Sequence, residues 1–230
     1  MSIINEVVRI NQELIQSGLV VLTWGNASAI EPDRKHIYIK PSGVSFKDLT
    51  PEKIVKVNLE GGFVGQYKPS VDTPTHLELY KGSNEIGAVI HTHSPYATAF
   101  AQAKMPIPIL GTTHADYFKS DVPVIGNFTD NEINENYEVS IGQRIIAYFQ
   151  EKKVNMLEIP AALIESHGVF AWGKNIQQAY ENSYIVEQVA RLAFKTLLLS
   201  KGESKPNSQL FIKHFERKHG KSKYYGQSNV

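Results

Sequence analysis

The 230-residue sequence has no cysteine. Disulfides, thiolate metal ligands and a cysteine nucleophile are therefore excluded, and His, Asp and Glu are left to carry any metal or acid/base chemistry. No apolar run approaches the roughly 20 residues that a membrane-spanning helix requires, so a membrane protein is not expected. Net charge is nearly absent, 24 Lys and Arg against 23 Asp and Glu, which gives no general electrostatic case for nucleic acid. Only the tail from Lys213 to Lys223 is locally basic. The N-terminus lacks a basic segment leading into an apolar stretch and a small-residue cleavage site. No secretory signal is expected, and a cytoplasmic location follows as the default.

What is present reads as one continuous α/β domain across residues 1–230, with a C-terminal appendage. Ile3, Ile4, Val7, Val8, Ile10, Leu14 and Ile15 recur at helical spacing and stop before Gly18, which predicts an amphipathic first helix. Strands are predicted at Val20–Thr23, His36–Lys40, Gly87–Thr92, Ala161–Ser166 and Val169–Trp172, each bounded by turn-forming residues. Helices are predicted over Pro95–Ala103, Asp130–Phe149 and Gln177–Ser200. A breaker-rich connection containing Gly202 and Pro206 then leads to a short final helix, Gln209–His219, in which Leu210 and Phe211, four and three residues before His214, place that imidazole on the apolar, docking side.

Chemistry concentrates in histidines. His91 and His93 flank Thr92 at the end of an apolar strand-like run, and residues two apart on a strand project to the same side. His167 follows a second such run, so a neighbouring strand could bring it to the same ion. Three neutral imidazoles with an open position match a catalytic zinc site, and manganese or iron is compatible with the same ligand type. Asp72, at the start of a predicted helix, is the candidate carboxylate, although an Asp before Thr-Pro is equally a helix N-cap. His76, four residues on, is a lesser candidate, and His36 has no such partner. Without more context the His-x-His pair is also compatible with two partly buried, hydrogen-bonded histidines.

The segments Thr23-Trp-Gly-Asn-Ala-Ser28, Ile39-Lys-Pro-Ser-Gly-Val44, Lys68-Pro-Ser-Val-Asp-Thr-Pro-Thr-His76 and His91-Thr-His-Ser94 occur together with three more. These are Gly111-Thr-Thr-His-Ala-Asp-Tyr117, Glu165-Ser-His-Gly168 and Lys218-His-Gly-Lys-Ser-Lys-Tyr-Tyr-Gly226. In this order and spacing, over nearly the whole chain, the sequence resembles the class II aldolase and L-ribulose-5-phosphate 4-epimerase family, the epimerases most closely. The resemblance implies a single domain with a central, mainly antiparallel β-sheet flanked by helices. It implies a metal site of Asp72, His91, His93 and His167, holding zinc, manganese or another divalent ion. The phosphate site it implies is Asn26, Lys40, Ser42, Gly43 and Ser70, with Val71 beside them. There the epimerases carry a second serine, so Val71 can offer phosphate only its backbone N–H.

The reaction implied is interconversion of L-ribulose 5-phosphate and D-xylulose 5-phosphate, in pentose or ascorbate catabolism. C4 carries no acidic hydrogen, because the ketone is at C2. Retro-aldol cleavage of C3–C4, rotation of the aldehyde and recombination on its other face solve this. By resemblance, Asp116 and Tyr225 are the two acid/base residues, with His214 nearby. Residues 208–230 would reach a neighbouring subunit's site in a cyclic homotetramer. A phosphorylated ketopentose is thus the expected partner, with no nucleic acid and no membrane. Two alternatives stand beside this: a class II aldolase such as L-fuculose-phosphate aldolase, and a non-enzymatic binding protein stabilised by a structural ion. Asp72 argues against the first, since those aldolases place a longer glutamate there. The lack of a base-stacking aromatic pattern and of a cysteine-rich zinc motif argues against the second.

Overall fold

The computed structural model describes residues 2–204, 207–221 and 223–225. Pro206 of the predicted connection and Gly226 of the tail motif lie outside them. The first helix, α1 (Ile3–Gln16), forms as its periodicity requires: Val7, Val8, Ile10 and Leu14 are buried, and Ser2 caps it by accepting the Asn5 N–H. The chain then reaches β1 (Asn26–Ile30), β2 (His36–Ile39) and β3 (Val55–Asn58), an antiparallel meander. Next come α2 (Thr73–Gly82), β4 (Ala88–Thr92), α3 (Pro95–Gln102) and the single turn α4 (Thr112–Ala115). β5 (Val124–Ile125), α5 (Asp130–Glu135), α6 (Tyr137–Lys152), β6 (Ala161–Ile164) and β7 (Gly168–Gly173) follow. The long α7 (Ile176–Leu199) and α8 (Ser208–His219) close the described chain.

Among the described residues the strands form one sheet in the order β3-β2-β1-β4-β7-β6-β5, antiparallel throughout except for the β5–β6 pair. The fold is α/β with a mainly antiparallel central sheet flanked by helices, as expected. Strand alternation divides its side chains between two layers. Val89, Phe170 and Trp172 meet Leu77, Leu79 and Tyr80 of α2 and Ile141, Ile145 and Phe149 of α6 on one face. Ala27, Ala29, Ala88 and Ile90 meet α1 on the other, where Leu163, Val169 and Ala171 meet Val186, Val189 and Ala190 of α7.

Three local expectations need correction. Val20–Thr23 is not a strand. Val20 is buried, but Val21 and Leu22 are 52% and 68% exposed, and Leu22 takes a left-handed φ of 55°. The chain turns there, the Trp24 N–H closing on the Val21 carbonyl, and the strand begins only at Asn26. Residues Asn26–Ile30 read weakly as a strand because they are small and half polar, yet all five are buried. The predicted helix Asp130–Phe149 is two helices, broken at Asn136, where φ −149° and ψ 44° are non-helical. In α8 the inward residues are Phe211 and Phe215, whereas Leu210, expected on the docking side with His214, is 42% exposed.

Candidate metal centre and active site

Sheet register assembles the site. Asn26 on β1 lies opposite His91 on β4, and His91 lies opposite Phe170 on β7, so a three-strand row crosses the sheet at the end of β4. His93 follows two residues later, and His167 sits in the β6–β7 turn. The potential ligand atoms of His91, His93 and His167 all lie within 4.8 Å of one another, an arrangement that could hold a metal ion. The chemistry of this donor set fits a divalent cation. His91 Nδ1 is 3.0 Å from the Val169 carbonyl, which can only accept, so Nδ1 holds the proton and the Nε2 lone pair is free. That Nε2 faces His93 Nε2 at 3.0 Å, where one proton at most can sit between two lone pairs. His167 Nδ1 is buried without a hydrogen-bond partner among the described residues. Burial holds all three imidazoles below their ordinary pKa and hence neutral, the form that coordinates a metal.

Two glycines allow this crowding. A Cβ on Gly168 would stand 2.6 Å from the Thr92 carbonyl oxygen and 3.3 and 3.4 Å from ring atoms of His91 and His93. Gly25, at φ +92°, presses against the His91 carbonyl, which a Cβ would meet at 2.6 Å. The His91 ring is stacked on Phe170 at 4.3 Å between centroids, which fixes its plane.

Asp72 occupies the N-cap position of α2, but its side chain makes no capping hydrogen bond. Its Oδ2 accepts instead from Asn26 Nδ2 at 2.7 Å and from Ser70 Oγ at 3.3 Å. Burial opposes ionisation of Asp72, but the charged forms of His91, His76 and His167, reached only at the acid pH where the carboxyl itself titrates, and the Asn26 amide hydrogen bond outweigh it and hold the carboxyl below its ordinary range. Asp72 lines the same cavity as the three histidines, although the compact ligand group contains the imidazoles alone.

That cavity, of about 360 Å³, is also lined by Asn26, Lys40, Ser42, Gly43, Ser70 and Val71. The two Pro-Ser segments lie side by side: Pro41 pairs with Pro69, the Ser42 N–H reaches the Lys68 carbonyl, and the Ser70 N–H reaches the Lys40 carbonyl. Lys40 is 2% exposed, and its Nζ meets only the Pro41 carbonyl at 3.3 Å and the Phe46 ring at 4.7 Å among the described residues. Burial lowers its pKa to about 8, against an opposing pull from Asp72. A buried ammonium with no carboxylate bonded to it has charge and N–H groups left to pair. Val71 is 67% exposed and lines the rim.

Asp116, His214 and Tyr225 do not line this cavity among the described residues. They form a second cluster where α8 packs on α4. Asp116 Oδ1 accepts from His214 Nδ1 at 3.1 Å, and both Asp116 oxygens accept from Arg217 Nη2 at 2.9 Å. Tyr225 is 59% exposed, beside Arg217 and Lys218.

His76 is fully buried, with Nδ1 2.7 Å from Ser28 Oγ, which is also 2.7 Å from the Tyr80 hydroxyl. It belongs to the layer beneath the cavity. His36 pairs with Glu31 at 3.1 Å on the far side of β2. Sequence reasoning missed Trp24 as a lining residue, 55% exposed and 6.4 Å from the His93 ring, because the run before it read as a strand. It also missed Tyr137, whose ring lies 5.9 Å from His167. Arg217 carried no signal beyond the basic character of the tail.

Comparison with known proteins identifies the family. The profile described as "Class II Aldolase and Adducin N-terminal domain" matches residues 5–194. The chain is 44% identical over 218 residues to "L-ribulose-5-phosphate 4-epimerase UlaF" of Salmonella paratyphi A, covering 94% of this chain and 95% of that protein. Among solved structures, an "L-fuculose 1-phosphate aldolase" superposes with a TM-score of 0.77 at 24% identity, covering 94% of this chain and 95% of the other. The L-fuculose-1-phosphate aldolase of Thermus thermophilus gives 0.70 at 25% identity, with 89% and 98% covered. A profile match over residues 5–194 and 44% identity over nearly the whole chain lead to one conclusion: the chain belongs to the class II aldolase and adducin N-terminal domain family.

Proposed function

We propose that the protein is an L-ribulose-5-phosphate 4-epimerase that interconverts L-ribulose 5-phosphate and D-xylulose 5-phosphate. The observation that carries this reading is the 44% identity to an epimerase over 94% of the chain. The cavity that joins the histidine triad to buried Lys40 supports it. His91, His93 and His167 hold the metal, zinc by ligand type with manganese as the alternative, and Asp72 is the further ligand. When bound, the ion supplies Lewis-acid polarisation of the substrate ketone.

The protein's own residues do the rest. Lys40, with the hydroxyls of Ser42 and Ser70, the Asn26 amide and the backbone at Gly43 and Val71, anchors the C5 phosphate. One acid/base group accepts the C4 hydroxyl proton as the C3–C4 bond breaks, leaving glycolaldehyde phosphate and a three-carbon enediolate. With the phosphate held, the aldehyde turns about C4–C5 and presents its other face. The C–C bond re-forms, and the second group returns a proton to the new C4 oxygen. Asp116 and Tyr225 are these two groups, with His214 beside Asp116.

The separation of the Asp116 cluster from the cavity within one chain supports a site completed between subunits of a homotetramer, each tail serving a neighbour. The test offers the purified, zinc-loaded protein L-ribulose 5-phosphate and, separately, L-fuculose 1-phosphate. D-xylulose 5-phosphate without free aldehyde is the expected outcome. Aldehyde release from L-fuculose 1-phosphate as the main reaction would make the protein an aldolase.

A further inference from the structure

We infer that Arg217 is the positioning residue that holds Asp116 and Tyr225 in fixed relation to each other. This rests on the reading of those two residues as the acid/base pair. Arg217 is engaged through three separate groups. Its Nη2 reaches Asp116 Oδ1 and Oδ2, each at 2.9 Å, and its Nε reaches Oδ1 at 3.2 Å. The guanidinium carbon lies 5.0 Å from the centroid of the Tyr225 ring. Its backbone carbonyl accepts the N–H groups of Tyr224 and Tyr225 at 3.0 and 3.1 Å. The chain leaving α8 at Gly220 thus folds back on the last turn of the helix and is caught by the residue whose side chain grips Asp116.

The planar fork suits this task. Two parallel N–H bonds to one carboxylate fix its rotation as well as its distance, and the guanidinium face remains available to a ring. A lysine at this position could supply charge to one partner but could not grip a carboxylate edge-on while stacking on a tyrosine. Burial strengthens the contact: the Arg217 and Asp116 side chains are 24% and 15% exposed. His214 Nδ1 donates to the same Asp116 Oδ1, and His219 Nε2 donates to the Asp116 backbone carbonyl at 3.0 Å, so Asp116 is the centre of a tied cluster in which Arg217 alone reaches both carboxylate oxygens and the Tyr225 ring among the described residues. Lys218 reaches Tyr225 too, over its ring at 4.5 Å, but it also lies 4.0 Å over Tyr117 and makes no contact with the Asp116 carboxylate among the described residues.

The Arg217 guanidinium is taken up by the Asp116 carboxylate and the Tyr225 ring, so its removal should leave substrate affinity nearly unchanged while misplacing the proton-transfer groups. In the intact, metal-loaded protein, Arg217→Ala is expected to lower kcat for L-ribulose 5-phosphate on the order of 100-fold, with KM within about two-fold. Millimolar guanidinium chloride, far below denaturing concentration, is expected to restore part of that kcat, whereas sodium chloride at equal ionic strength does not. Arg217→Lys, which keeps the charge, is expected to assemble normally and lose about ten-fold or more in kcat. An unchanged kcat in Arg217→Ala, or full activity in Arg217→Lys, overturns the inference. So does a loss in Arg217→Ala that appears mainly in KM, or one that guanidinium fails to relieve. If wild-type protein fails to epimerise L-ribulose 5-phosphate, the proposed function falls and this inference falls with it. An active wild type with an indifferent Arg217 overturns this inference alone.

Discussion

Lys40 combines burial, charge and the lack of a carboxylate bonded to it among the described residues. Its ammonium is held at a pKa of about 8 because burial penalises the charge more than Asp72 relieves it. A bound phosphate dianion would favour the protonated form, so binding and protonation are linked: affinity is fully present below that pKa and falls as pH rises through it. The KM for the phosphorylated ketose should therefore climb above about pH 8. In Lys40→Arg, whose charge does not titrate in this range, that rise should vanish; an identical pH profile in both proteins would remove Lys40 from the phosphate site. Lys40 was legible in the sequence as one member of a Lys-Pro-Ser-Gly turn. Its burial was not, because burial comes from the Lys68–Ser70 segment laid across it and from Phe46 beneath.

Two contacts at the level of the elements hold the triad in shape. The first is the start of β7, where Gly168 passes within a Cβ's reach of Thr92, His91 and His93. Gly168→Ala should push β4 and β7 apart and reduce the zinc retained after dialysis, measured by elemental analysis, while the far-UV circular dichroism stays that of the wild type. Unchanged zinc content would mean the strands tolerate the extra carbon. The second is the start of α3, directly after His93. Ser94 makes no side-chain capping bond there, and the cap comes from α7 instead: Glu187, 7% exposed, accepts the N–H groups of Tyr96 and Ala97 at 3.0–3.1 Å. A carboxylate at a helix N-terminus is favoured by both the hydrogen bonds and the helix dipole. Glu187→Gln keeps an acceptor but loses the charge, and should lower the unfolding free energy by about 1–2 kcal/mol in urea titration. A negligible change would show that water can replace this cap. None of this was visible in the chain order, since Glu187 is some ninety residues from the helix it caps.

For the whole molecule, the decisive question is whether one chain's α8 end serves another chain's metal. On the roles proposed for them, Tyr225→Phe protein would lack an acid/base group and His93→Asn protein a metal ligand, so each alone should be inactive. Dissociated and reassembled together, they should recover part of the wild-type rate through interfaces where an intact tail meets an intact triad. Mixed oligomers of normal size with no recovery would mean that each site is built from a single chain. The sequence by itself determined which residue types are available as ligands and that His91 and His93 face the same way, because strand alternation and the lack of cysteine leave few other possibilities. It also carried the first helix and the long α7, whose apolar spacing repeats over three turns or more. Only the tertiary structure decided that β1 begins at Asn26, because a strand of small and polar residues is stable solely when β2 and β4 flank it and α1 covers it. It likewise decided that Asp72 leaves its capping role to face Asn26, and that Arg217 joins Asp116 to Tyr225. These contacts link segments 46 and 101 residues apart, and local spacing contains no information about which distant partner a charge will meet.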